Sequence, residues 1–152
     1  MKAANVIVGV LCGVVLAGFA HEPSHALFLY YSGLKIVGYS PLQEVYFIAN
    51  SNTPNYVIAL SAAAPYLLSM FVGLLTVIFN RNSLFWRGFS LPLVFQSIPS
   101  FFISSFEPIN GFHMNNGDWL VIQSCGFAYS FMFVYISVSF ALSWLLLIML
   151  RR

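Results

Sequence analysis

Charge is what this chain has least of. Of its 152 residues, six are Lys or Arg and four are Asp or Glu, so 7% are charged while 60% are hydrophobic. A water-soluble domain carries about 25% charged residues. So small a supply cannot clothe a water-facing surface, and lipid becomes the expected solvent. The formal net charge of +2, with no basic run, excludes an electrostatic nucleic-acid surface. The only cysteines, Cys12 and Cys125, lie far apart in apolar stretches without CxxC spacing. That excludes a cysteine-built metal cluster and gives no ground for a disulfide, so both are expected as buried free thiols. Internal repeats and low-complexity tracts are absent, and the length suits one domain over residues 1–152.

What the chain has in quantity is long apolar runs. Crossing a bilayer takes about 20 residues, and four segments qualify: Ala4 to Tyr31, Asn55 to Phe79, Ser83 to Phe106 and Asp118 to Leu150. The third is interrupted by Pro92 and Pro99. The fourth is too long for one straight crossing, which predicts a tilt or a bend. The opening "MKAANVIVGVLCGVVLAGFA" has the look of a secretory signal, yet apolar character resumes in "ALFLYY", as a continuing span requires. Between the first two segments, "KIVGYS" and "EVYFIA" flank Pro41 and end at a polar cluster, the pattern of short strands joined by a turn. The expected fold is an all-α polytopic membrane protein of about four transmembrane helices with a short β-hairpin-like segment after the first. Of the basic residues, Lys2, Arg81, Arg87, Arg151 and Arg152 then share one side and Lys35 lies on the other. The positive-inside rule places both termini in the cytoplasm.

Against this background, "HEPSH" stands out. His21 and His25 are four residues apart, so on a helix both imidazoles reach one metal ion. Glu22 stands beside them, positioned to take a proton from a water on that metal, as a zinc hydrolase requires. Three histidines in the whole chain make an accidental H-E-x-x-H roughly a one-in-a-thousand event. The competing reading is a hydrogen-bonded cluster that only braces the helices.

A catalytic zinc takes three protein ligands and keeps a position for water. Beyond Glu22 the acids are Glu44 in the strand segment, Glu107 before Pro108, and Asp118. Asp118 leads directly into an apolar segment, where it is either the third ligand or a helix cap. His113, in the preceding loop, is the alternative ligand.

These residues resemble the site-2 protease family of intramembrane zinc metalloproteases. "HEPSH" matches the family's HExxH helix, and "NNGDW" is similar to its later aspartate motif, with Asp118 at the aspartate. The strand segment and "SAAAPYLLS" are similar in placement to the family's hairpin and its small-residue, proline-containing helix. The chain departs from the pattern in having Pro23 and Ser24 between the histidines and no LDG tripeptide. The resemblance implies an intramembrane endopeptidase with Zn2+ on His21, His25 and Asp118, Glu22 as the catalytic acid–base, and a transmembrane protein substrate in the lipid bilayer. Asn115 and Asn116 would hold the substrate backbone or polarise its carbonyl; otherwise they are ordinary loop residues. The family opens its site toward the cytoplasm, whereas the charge bias puts His25 on the opposite side. Two other readings stay open: a non-catalytic metal-binding or structural membrane protein, and a proton or ion carrier using the same buried charges.

Overall fold

The computed structural model describes residues 2–41, 45–80, 82–95 and 118–126, with 137, 138, 140, 141, 144 and 148 as isolated helical positions. His113, Asn115, Asn116, Glu44, Glu107 and Pro99 lie outside the described residues. Among those described, the chain is mostly helical. Helix α1 spans Lys2–Tyr31, α2 Asn55–Asn80, α3 Leu84–Phe95 and α4 Asp118–Ser124. A two-stranded sheet, β1 (Lys35–Tyr39) and β2 (Val45–Ile48), follows α1. Helices α1 and α2 are long and apolar enough to cross a membrane. The described part of the third apolar segment, α3, is 12 residues long, shorter than one crossing.

Proline does not interrupt these helices: Pro23, Pro65 and Pro92 all lie inside them. In an apolar setting the rest of the backbone has no water to turn to, so helix is retained on either side of a missing N–H. What ends α1 is a left-handed glycine. Gly33 has φ +73°; its N–H donates to the Tyr30 carbonyl (3.1 Å), and Leu34 N–H donates to that of Leu29 (3.0 Å). This is a Schellman closure, which satisfies the last carbonyls and turns the chain.

The chain then enters the hairpin, as expected from its β-branched and aromatic residues. Its strands pair antiparallel, Lys35 with Ile48 and Tyr39 with Val45, with an irregularity between Ile36 and Gly38. Val37, Tyr39, Tyr46 and Ile48 are exposed; the residues between them are half-buried.

Two small-residue contacts hold the helices together. Gly9 and Gly13 of α1 meet the backbone of α3: a Cβ at Gly9 would collide with the Phe85 carbonyl, and one at Gly13 with that of Phe89. Gly88 of α3 is pressed in the same way onto Val6. Such close approach of backbones is how helices gain van der Waals energy where lipid supplies no hydrophobic drive. On α2, Ala59, Ala62, Ala63 and Tyr66 form one face by helical spacing and receive Ile122 and Cys125 at the α4 end. The fourth apolar segment does break: α4 stops at Ser124 and Gly126 takes φ +79°. Both cysteines are free, but only Cys125 is buried; Cys12 is exposed on α1. Cys12 lies on a face of α1 that no other described element covers, so an apolar sequence neighbourhood does not by itself bury it.

Candidate metal centre

The four-residue spacing in α1 places His21 and His25 on one face, their Nε2 atoms 3.3 Å apart. Across from them, the first residue of α4 is Asp118. Its Oδ2 lies 3.1 Å from His21 Nε2 and its Oδ1 3.1 Å from His25 Nε2. Three candidate ligand side chains, two from α1 and one from 97 residues downstream, therefore meet. The Glu22 carboxylate belongs to the same cluster, within 4.8 Å of both imidazoles. The site is not sealed: the His21 side chain retains 26% exposure and that of Asp118 18%, while His25 is buried.

These separations can be tested against zinc. Ligand atoms about 2.0–2.1 Å from a tetrahedral centre lie about 3.3–3.4 Å from one another. The 3.3 Å between the two imidazole nitrogens matches that edge, and the Asp118 carboxylate straddles the pair, one oxygen 3.1 Å from each nitrogen. The donor set, two neutral imidazoles and one carboxylate, is one that zinc accepts with a coordination position to spare. The residues fit the ion.

Around these atoms stands a set of supporting contacts from α2. Ser61 contributes its main-chain carbonyl, 2.7 Å from His25 Nδ1. A carbonyl only accepts, so Nδ1 carries the hydrogen and Nε2 of the neutral ring presents its lone pair to the cluster. Tyr66 donates its phenol hydrogen to Asp118 Oδ2 at 2.8 Å, and its ring stands edge-on to His21 with centroids 5.3 Å apart. Within α1, Ser24 Oγ donates to the Ala20 carbonyl at 2.5 Å. That backbone bond keeps the Ser24 hydroxyl, next to His25 in sequence, out of the metal cluster.

Of the residues singled out in the sequence, His21, Glu22, His25 and Asp118 are thus brought together. The Asp118 carboxylate is directed at the histidines and Tyr66. His113, Asn115 and Asn116 fall outside the described residues. Ser61 and Tyr66 were not legible as site residues, although both lie in or beside the "SAAAPYLLS" stretch. Comparison with family models, with curated proteins and with solved structures found no match.

Proposed function

We propose that this chain is an intramembrane zinc endopeptidase, a small relative in kind of the site-2 proteases, with about four membrane spans. The observation that carries the reading is the meeting of His21 Nε2, His25 Nε2 and the Asp118 carboxylate, 3.1–3.3 Å apart, beside Glu22. A metal ion would take a ligand from each of the three side chains at once.

In this reading His21, His25 and Asp118 hold the ion. Zinc, when bound, supplies Lewis acidity that brings the ionisation of water into the neutral range and polarises a carbonyl. Glu22 accepts the proton of the attacking water and later delivers it to the leaving amine. Tyr66 holds the Asp118 carboxylate in place. The β1–β2 hairpin would bind an unwound transmembrane substrate by adding it as a further strand, and Asn115 and Asn116 would steady its backbone. The partially open flank at His21 and Asp118 admits water where the surrounding helices otherwise exclude it.

Glu22→Gln tests the mechanism, because it removes the base while leaving every proposed ligand in place. The expected result is zinc retained at wild-type stoichiometry with cleavage of a membrane-spanning peptide abolished. Cleavage at the wild-type rate would refute Glu22 as acid–base. A second reading draws on the same contacts: the His–Asp pairs also tie α1 to α4, as a non-catalytic metal-binding or structural protein would need. Zinc binding by wild type without cleavage of any spanning peptide would decide for it.

A further inference from the structure

The carbonyl that orients His25 belongs to a residue whose side chain is occupied elsewhere. Ser61 Oγ donates to the Ile58 carbonyl at 2.7 Å, while the Ser61 main-chain oxygen takes the His25 Nδ1–H at 2.7 Å. Inside a helix such a carbonyl is normally consumed by the N–H four residues on. Four residues after Ser61 stands Pro65, inside α2 and fully buried. Proline has no N–H, and its ring pushes the carbonyl of residue i−4 away from the helix axis. The oxygen thus lacks its helical donor and is tilted outward, and what it meets is the imidazole of His25.

We infer that Pro65 is a positioning residue for the metal centre: by withholding the helical donor from the Ser61 carbonyl, it dedicates that oxygen to His25 Nδ1–H and so keeps His25 Nε2 as the ligand atom. The inference rests on the metal-binding reading above for its consequence, but its structural content, the hydrogen bond to His25, exists with or without an ion. Residue 65 controls the contact and the Ser61 side chain does not. The two positions therefore separate a backbone effect from a side-chain effect.

The same α2 turn carries Tyr66, which anchors Asp118. One short stretch of α2 therefore steadies a ligand from α1 and a ligand from α4, neither of which it contributes itself. Such outer contacts fix tautomer and ring orientation, and their loss typically weakens metal binding by about 10–100-fold.

The experiment uses the full chain in detergent micelles with four variants: Pro65→Ala, Pro65→Val, Ser61→Ala and Pro92→Ala. Both Pro65 variants restore an N–H, and valine also fills most of the space that alanine leaves. Two quantities are read: the Zn2+ dissociation constant by chelator competition, and the NMR resonance of the His25 ring Nδ1–H, in metal-loaded and metal-free protein. Both Pro65 variants should bind Zn2+ about 10–100-fold more weakly, with the Nδ1–H resonance moved upfield and exchanging faster with water. Ser61→Ala and Pro92→Ala should leave both readouts at wild-type values. Wild-type affinity and resonance in both Pro65 variants would overturn the inference, as would an equal loss in Pro92→Ala. Should wild type bind no Zn2+, the metal reading falls and the resonance in metal-free protein decides alone. A downfield signal lost in both Pro65 variants supports the role of Pro65, and an unchanged one refutes it.

Discussion

Replacing Tyr66 by Phe removes one hydrogen-bond donor and almost nothing else. The phenol oxygen lies 2.8 Å from Asp118 Oδ2, and the ring is buried at 5% exposure. Phenylalanine keeps the edge-on contact with His21 and the packing against Ala62 and Ala63. A hydrogen bond to an ionised group contributes about 1.5–3 kcal/mol. The Asp118 side chain is 18% exposed, so water can replace part of what is lost, which selects the lower end of that range. Loss of such an outer contact typically weakens metal binding about 10–100-fold, and the lower end is expected here: a Zn2+ dissociation constant raised about tenfold, with the melting temperature of the metal-free protein also lowered, because the bond exists without an ion. Competition against a chelator of known affinity measures it. A dissociation constant within twofold of wild type would show that the phenol does not hold the carboxylate for the metal. A loss as complete as that of Asp118→Ala would show that Tyr66 does far more than orient.

Two further outcomes bear on the ligands and on the helix packing. Zinc content should fall well below one per chain in Asp118→Ala and stay at the wild-type level in His113→Ala; the reverse pattern in elemental analysis would transfer the third ligand to His113. Gly13→Ile drives a branched side chain into the Phe89 carbonyl and to within contact of Pro92. The expected cost is about 1–3 kcal/mol, read as a lower melting temperature in detergent, and an unchanged melting temperature would refute the close α1–α3 contact.

Much of this was written in plain view in the sequence. The first two apolar runs correspond to α1 and α2 nearly to the residue, both long and apolar enough to cross a membrane. The strands around Pro41 were legible from β-branched and aromatic residues bounded by turn formers. His21 and His25 followed from helical periodicity, and Asp118 from scarcity, since few other acids were on offer. The supporting shell was not legible, for a physical reason. Ser61 acts through its main chain, which has no residue signature, and Tyr66 acts through a tertiary contact 52 positions away. Pro65 could be noticed but not interpreted, because a freed carbonyl means nothing until its recipient is known. Pro92 suggested an interruption that α3 does not make, whereas Gly126, unremarkable in sequence, follows the end of α4 with a left-handed φ.

His21 and Asp118 are separated by 97 positions in the chain, and this spacing has a consequence in time. At about 5–20 residues per second of translation, the two histidines emerge about 5–20 s before the aspartate that faces them. During that interval a nascent chain has an incomplete site, and an ion would find only part of its ligand set. On the metal-binding reading proposed above, full metal capture would therefore have to wait until α4 has been laid against α2. A ribosome-bound intermediate truncated before residue 118 should then hold zinc more weakly than the chain that carries Asp118.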